Sequence, residues 1–143
     1  HDQMVLITPK TSYFAQFQTK PIPLDLILRS EPVILREEGS GSRKFVYELL
    51  EKLNIPESAL QVTARLKDQE SIKNLVANGL GISVISKAAA CSPGSDQKLL
   101  VFDLPMVADS RSLYLVYHKN FILKPYVHHF MEFVINFYTR SRY

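Results

Sequence analysis

The sequence is poor in cysteine, with a single residue, Cys91, among 143. One cysteine cannot form an internal disulfide, and a lone free thiol fits a reducing compartment. A chain of this length can bury a core of its own, so it needs neither a disulfide nor a structural metal in order to fold.

Long apolar runs and concentrated basic clusters are also lacking. No stretch approaches the roughly 20 apolar residues of a membrane-spanning helix, and residues 1–3 lead into an apolar segment without the pattern of a signal peptide. The net charge is +3, from 17 Lys and Arg against 14 Asp and Glu, and the basic residues are scattered. Nucleic-acid-binding proteins usually concentrate such residues on one face. We therefore expect a cytoplasmic chain that has no membrane partner and does not bind DNA by itself.

Motifs for catalysis, metal binding and nucleotide binding are missing or incomplete. Gly39-Ser40-Gly41 lacks both the Gly-x-Ser-x-Gly spacing of a nucleophile elbow and the ending of a Walker loop. Gly79-Leu80-Gly81 follows a helix and precedes a strand, which reverses the order of a dinucleotide fingerprint. His128 and His129 point about 100° apart on one helix, so they cannot share a metal as an i,i+4 pair can. No cofactor, metal or catalytic residue is predicted.

What is present is the pattern of an ordinary α/β domain. Hydrophobic residues make up 46% of the chain and charged residues 22%, as is typical of globular proteins. Short apolar runs predict strands at 4–7, 33–35, 62–66, 82–85, 99–102 and 113–117. Apolar residues spaced by three and four predict helices at 24–28, 43–53, from Asp68 to Asn78, at 87–91 and at 125–138, whereas residues 10–23 read as a loop. The alternation of strands and helices favours an α/β fold with a mostly parallel sheet.

The most informative local feature is the loop Gly39-Ser40-Gly41-Ser42, between the second predicted strand and its helix. Such loops lie at the carboxyl edge of a parallel sheet, where open α/β sheets bind ligands. The helix start offers N–H groups and a partial positive charge, which suit an anion, and the glycines permit close approach. A purely structural role, with one serine as N-cap and the glycines shaping the turn, is equally compatible. The charged residues at 36–38 and 43–44 do not decide between the two roles. Three of them are basic and favour anion binding, whereas two are glutamates and oppose it.

Together these segments resemble the effector-binding, or substrate-binding, domain of LysR-type transcriptional regulators over nearly the whole chain. Ser42 stands where that family usually has threonine, and Ser83 where alanine is common. The resemblance rests on a crossover strand at 2–9, a strand-loop-helix at 32–43, a helix-to-strand corner at 70–86, a returning strand at 111–117 and the closing helix as far as Phe133.

The resemblance implies a type 2 periplasmic-binding-protein-like fold, with the effector in a cleft between two lobes joined by crossover strands. It implies that residues 1–11 form a crossover strand and residues 12–110 the second lobe. Residues 111–143 would form the returning crossover strand and the C-terminal helix of a first lobe that is otherwise incomplete. Strands 4–8 and 113–117 are then expected to be antiparallel neighbours. The effector contact that the resemblance carries over is Ser40, with Gly39, Gly41 and Ser42 beside it.

The function implied by the resemblance is sensing. A small metabolite, often an anion or carboxylate in this family, would bind the cleft and shift lobe closure, and so rearrange a tetramer of the full protein on DNA. DNA would be bound only by a helix-turn-helix domain that this chain lacks. Two alternatives stay open: a transporter's solute-binding protein and an enzyme, both with this fold. Self-association is also expected, since the last helix carries an apolar stripe of Val127, Phe130, Val134 and Phe137.

Overall fold

The architecture is taken from a computed structural model that describes residues 2–92, 98–104, 114–120 and 122–140. The chain divides into two units, His1–Ser112 and Leu113–Tyr143. The described strands are β1 (Met4–Pro9), β2 (Pro32–Arg36), β3 (Gln61–Leu66), β4 (Ser83–Ser86) and β5 (Leu99–Asp103). The described α-helices are α1 (Ser12–Ala15), α2 (Leu24–Ser30), α3 (Gly41–Lys52), α4 (Gln69–Ala77), α5 (Lys87–Ala90) and α6 (Pro125–Arg140).

The first unit is built on strands in the order β3-β2-β4-β1-β5. Strands β2 and β3 are parallel, and a parallel bridge between Val33 and Ile82 joins β2 to β4. Strand β1 pairs antiparallel with β4 on one side and with β5 on the other. Four strands therefore run one way and β1 runs the other. The predicted α/β fold is confirmed, and within it β1 is the strand that runs antiparallel to the others.

This strand order gathers several chain segments at one edge of the sheet. Met4 lies opposite Ser86, and Val5 lies opposite Asp103. The start of β1 is therefore next to the ends of β4 and β5, and the ends of β2 and β3 lie at the same side. We call this side the carboxyl edge, and it is where open α/β sheets bind ligands.

The core lies on both faces of the sheet, because successive strand residues point to opposite faces. In β1, Met4 and Leu6 belong to one apolar cluster, whereas Val5 and Ile7 belong to the other. Helix α3 covers the first face through its predicted buried stripe of Phe45, Val46, Leu49 and Leu50, and α4 covers the second through Ile72 and Val76. Burying one such side chain stabilises the fold by about 1.5–3 kcal/mol.

Helix α4 begins and ends as its sequence predicts. The Asp68 carboxylate accepts a hydrogen bond of 2.7 Å from the Ser71 N–H, and this bond holds the pKa of Asp68 below its ordinary value. Gly79, just past the helix end, has a φ of +79°, which is a conformation that favours glycine.

The corner that follows α4 brings β4 close to β2. Gly81 has a φ of +153°, and a Cβ added there would lie 2.5 Å from the Pro32 carbonyl oxygen. The Ile82 N–H donates to that same oxygen at 2.8 Å. The buried Ser83 hydroxyl donates to the Ile34 carbonyl at 2.6 Å, which adds a bond where β2 and β4 share only one bridge.

The prediction that residues 10–23 form only a loop is wrong. They contain α1 and a 3-10 turn at Gln16–Gln18. Thr11 caps α1 by accepting from the Phe14 N–H, and the Tyr13 ring packs edge-on against Phe14 and Phe17. Aromatic packing therefore stabilises helical turns that are too short to show a periodic pattern.

The prediction of a strand at 113–117 beside β1 is also wrong for the described residues. Residues 114–118 form neither helix nor strand, and Leu113 lies outside the described residues. Both sides of β1 are already paired, with β4 and β5. A β-prone segment needs a hydrogen-bonded partner strand in order to be stable, and β1 has no free side to offer.

The second unit contains α6, as predicted. Phe130 and Phe137 on its predicted apolar stripe are 61% and 56% exposed. The Phe133 and Phe137 rings are stacked, with centroids 6.1 Å apart. Of the helices in the described ranges, none has the length and apolar character needed to cross a bilayer.

Candidate ligand site at the carboxyl edge

The loop after β2 is shaped by its backbone. The Glu37 N–H donates to the Leu66 carbonyl at 3.1 Å, which continues the parallel pairing one residue beyond β2. Gly39 then takes a φ of +84°, which turns the chain towards α3. A residue with a side chain would be strained in this conformation, although nothing lies within 4 Å of a Cβ added there. The first glycine of the predicted site is therefore required for the turn.

Ser40 is the N-cap of α3. Its backbone is extended, and its Oγ accepts a hydrogen bond of 3.1 Å from the Arg43 N–H. The structural role considered for this serine is therefore present. A hydroxyl accepts through its lone pairs and still has one proton to donate, so the cap does not exclude a ligand contact. The side chain is half-buried, which leaves it reachable from the carboxyl edge.

Gly41 and Ser42 form the first turn of α3 and differ in exposure. Gly41 is exposed, whereas Ser42 is only 2% exposed. The first N–H groups of a helix have no acceptor within the helix, and the helix dipole places a partial positive charge there. The structure thus brings Gly39, Ser40, Gly41 and Ser42 together at the start of α3, with Ser42 buried.

The charges flanking the loop are largely paired within the protein. Arg36 donates to both carboxylate oxygens of Glu37, with Nε–Oε2 and Nη2–Oε1 distances of 3.0 and 3.1 Å. This hydrogen bonding, with the nearby positive charge of Lys67, holds the pKa of Glu37 below its ordinary value. Because the two charges compensate each other, Glu37 repels an anion less strongly, and Arg36 attracts one less strongly, than either residue would alone.

Arg43 belongs to a buried cluster that the sequence did not reveal. It is 2% exposed, pairs with Glu57 and donates to the Tyr47 hydroxyl at 2.9 Å. Its guanidinium carbon lies over the Tyr47 ring, 4.3 Å from the centroid. Among the described residues, Arg43 Nε and Nη1 have no hydrogen-bond acceptor. Arg65 of β3 also reaches Glu57, at 3.4 Å.

This cluster fixes the start of α3 against the edge strand β3. Burial raises the pKa of Glu57, but hydrogen bonds from Tyr47 and Arg43 together with the Arg43 charge outweigh it and leave the pKa below its ordinary value. Arg43 was counted in favour of an anion on sequence alone. Its charge is instead neutralised by Glu57. The i,i+4 spacing of Arg43 and Tyr47 is the one sequence signal that pointed to their contact.

A second polar group at the carboxyl edge was also missed. Lys87 Nζ lies 2.8 Å from Asp103 Oδ1 and 3.3 Å from Gln3 Oε1, which links α5, β5 and the segment before β1. Beside it, the Ser86 hydroxyl donates to Asp2 at 2.6 Å. These residues lie up to about a hundred positions apart along the chain. Only the register of β1 against β4 and β5 brings them together.

The opposite edge of the sheet has an open cavity of about 540 Å³. Its lining includes Lys10, Thr11, Asn78 and Lys98, next to the end of β1. It lies away from the predicted loop. Within the described ranges, no three His, Cys, Asp or Glu side chains come close enough to hold a metal.

Comparisons with known proteins agree with this architecture. The family model described as "LysR substrate binding domain" matches residues 1–138. The transcriptional activator CmpR of Synechocystis is 30% identical over 115 residues, which is 80% of this chain and 36% of that protein. A RuBisCO operon transcriptional regulator of Allochromatium vinosum is 32% identical over 110 residues, or 76% of this chain and 35% of that protein.

Solved structures give the same result. The CcmR regulatory domain of Synechocystis, in complex with 2-PG, superposes with a TM-score of 0.76 at 26% identity, covering 92% of this chain and 61% of that one. The effector-binding domain of QuiR, in complex with shikimate, gives 0.67 at 18% identity, covering 99% and 64%, and shows the fold alone.

The chain spans 36% and 35% of the length of the two regulators named above. These relatives are transcriptional regulators. The comparisons therefore support the resemblance to a LysR substrate-binding domain over the alternative of a transporter's solute-binding protein. With its type 2 periplasmic-binding-protein-like fold, the chain belongs to the LysR substrate-binding domain family.

Proposed function

We propose that this chain senses a small anionic metabolite on behalf of a LysR-type transcriptional regulator. The observation that carries the proposal is the placement of Ser40. Its hydroxyl caps α3 at the carboxyl edge and keeps a proton to donate, next to the exposed Gly41 and the positive end of the helix dipole. These groups suit a carboxylate or phosphate oxygen.

The relatives support a small ligand. CcmR binds 2-PG and QuiR binds shikimate, each through a domain that superposes on this chain. By extension, we assign Gly39, Ser40, Gly41 and Ser42 to effector binding here. We also assign residues 1–11 to a crossover strand, 12–110 to the second lobe, and 111–143 to the return into the first lobe.

In the full regulator, the effector acts by shifting a conformational equilibrium. It does so only as far as it binds one state more tightly than the other, and each tenfold preference corresponds to about 1.4 kcal/mol. DNA is bound by a separate helix-turn-helix domain, and the regulator assembles as a dimer or tetramer in the cytoplasm. The sensing chain itself performs no catalysis in this scheme.

A thermal-shift screen tests the proposal. The chain is melted with 2-PG, shikimate, inorganic phosphate and a panel of metabolite carboxylates, with uncharged glycerol as the control. A ligand that binds only the folded state at 100 times its Kd stabilises it by about 2.7 kcal/mol. We expect at least one anion to raise the Tm and glycerol not to. A panel in which no anion does so, even at millimolar concentration, contradicts the proposal.

A further inference from the structure

We propose that Lys87 supplies the positive charge that recognises the effector's anionic group, and that Asp103 competes with the effector for it. The inference rests on the proposed function, because it adds a residue to the same site. Lys87 directly follows β4, and β4 is the neighbour of β2, from which the Ser40 loop leaves. Both segments emerge at the carboxyl edge.

Three basic groups of this lobe, unlike Lys87, are paired in sheltered positions. The Arg36 side chain is 15% exposed and is held by both oxygens of Glu37. Arg43 is buried against Glu57. The Nζ of Lys73, whose side chain is 5% exposed, has three oxygen acceptors between 2.8 and 3.0 Å. A ligand could recruit these cations only by breaking a sheltered pair, which leaves a carboxylate uncompensated.

Lys87 is held differently. Its side chain is 41% exposed and that of its partner Asp103 is 60% exposed. Ion pairs this open to water contribute little to stability, so Lys87 can exchange Asp103 for a ligand oxygen at small cost. A lysine side chain is also long and flexible, with three rotatable donors, so it can follow a ligand between the ends of β4 and β2.

Asp103 is the group that competes with an anionic ligand for Lys87. It lies 2.8 Å from Lys87, and Gln3 donates to the same oxygen at 3.3 Å. An incoming anion must compete with the Asp103 carboxylate for Lys87, and the negative charge of Asp103 opposes the anion once Lys87 has turned away from it. Replacing Asp103 by its uncharged isostere should therefore strengthen anion binding, whereas removing the Lys87 charge should weaken it. A purely structural ion pair does not predict these opposite signs.

The test compares three variants of the chain by calorimetric titration with 2-PG and with inorganic phosphate. Lys87→Gln should bind about tenfold more weakly or worse, as for a lost charged hydrogen bond, and Lys87→Arg should keep most of the affinity. Asp103→Asn should bind more tightly, by up to about fivefold. The control is Lys52→Gln, which makes the same charge change at the last residue of α3, far from the carboxyl edge, and should bind as the unaltered chain does.

The outcomes separate this inference from the proposed function. If Ser40→Ala weakens binding but Lys87→Gln and Asp103→Asn leave it unchanged, the assignment of Lys87 is overturned and the sensing function stands. If the unaltered chain binds neither probe, the titrations use the anion of the thermal-shift panel that raises its Tm, and if no anion does so, both fail. Should Lys87→Gln melt early, Asp103→Asn decides alone, and an affinity equal to or below that of the unaltered chain overturns the inference.

Discussion

At the scale of single residues, Ser40 combines a structural and a proposed binding role in one hydroxyl. Replacing it by alanine removes both, so Ser40→Ala should lose about 1 kcal/mol of stability and about tenfold in anion affinity. Ser40→Asp separates the roles, because aspartate is a good N-cap but adds a negative charge and no donor. We expect Ser40→Asp to keep the Tm of the unaltered chain while losing anion binding.

Calorimetry and thermal melting of the two Ser40 variants decide between the roles. If both variants bind anions as the unaltered chain does and only Ser40→Ala melts early, Ser40 is a structural cap and the effector binds elsewhere. The sequence placed this residue in the loop between a predicted strand and a predicted helix, with an N-cap as one of two roles left open. It could not show that the cap and the donor use different parts of the hydroxyl, because that depends on the N-cap geometry.

At the scale of secondary-structure elements, the close approach of β4 to β2 depends on Gly81. A methyl group there would lie 2.5 Å from the Pro32 carbonyl oxygen, and the φ of +153° disfavours a side chain. Gly81→Ala should therefore lower the free energy of unfolding by about 2 kcal/mol or more. Gly79→Ala is the matched control. It also has positive φ but faces open space, so it should cost about 1 kcal/mol.

Urea unfolding of the two glycine variants provides the measurement. If both variants lose the same free energy of unfolding, backbone conformation alone matters, and the contact between β2 and β4 tolerates a methyl group. The sequence marked both residues as structural glycines at a helix-to-strand corner. It could not rank them, because the Pro32 carbonyl comes near Gly81 only once β4 has docked beside β2.

At the scale of the whole molecule, the exposed aromatic face of α6 predicts self-association. Phe130 and Phe137 are more than half exposed, and contiguous apolar patches usually become interfaces. Light scattering should show an average mass that rises with concentration. The double change Phe130→Ser and Phe137→Ser should restore a monomer, whereas Val116→Ser should not, because Val116 is an exposed apolar residue outside α6. A concentration-independent monomer of the unaltered chain would contradict the prediction.

The sequence by itself determined the elements that depend on local chemistry. Periodic apolar residues specified α3, α4 and the buried strands, and Asp68 and Gly79 specified the limits of α4, because caps and amphipathic faces act over one or two turns. Motifs in order along the chain also identified the family. The strand prediction at 113–117 failed in its described part, since residues 114–117 form no strand.

Only the tertiary structure decided which distant residues meet. Lys87, Asp103 and Gln3 share the carboxyl edge because β1 pairs with both β4 and β5. Arg43 changed from a candidate anion contact to a buried partner of Glu57 because the turn before β3 packs against the start of α3. Strand order and register are set by the packing of the whole core, so no local sequence pattern predicts these long-range contacts. For the same reason, the sequence located the Ser40 loop, whereas the tertiary structure showed which charges around it are available to a ligand.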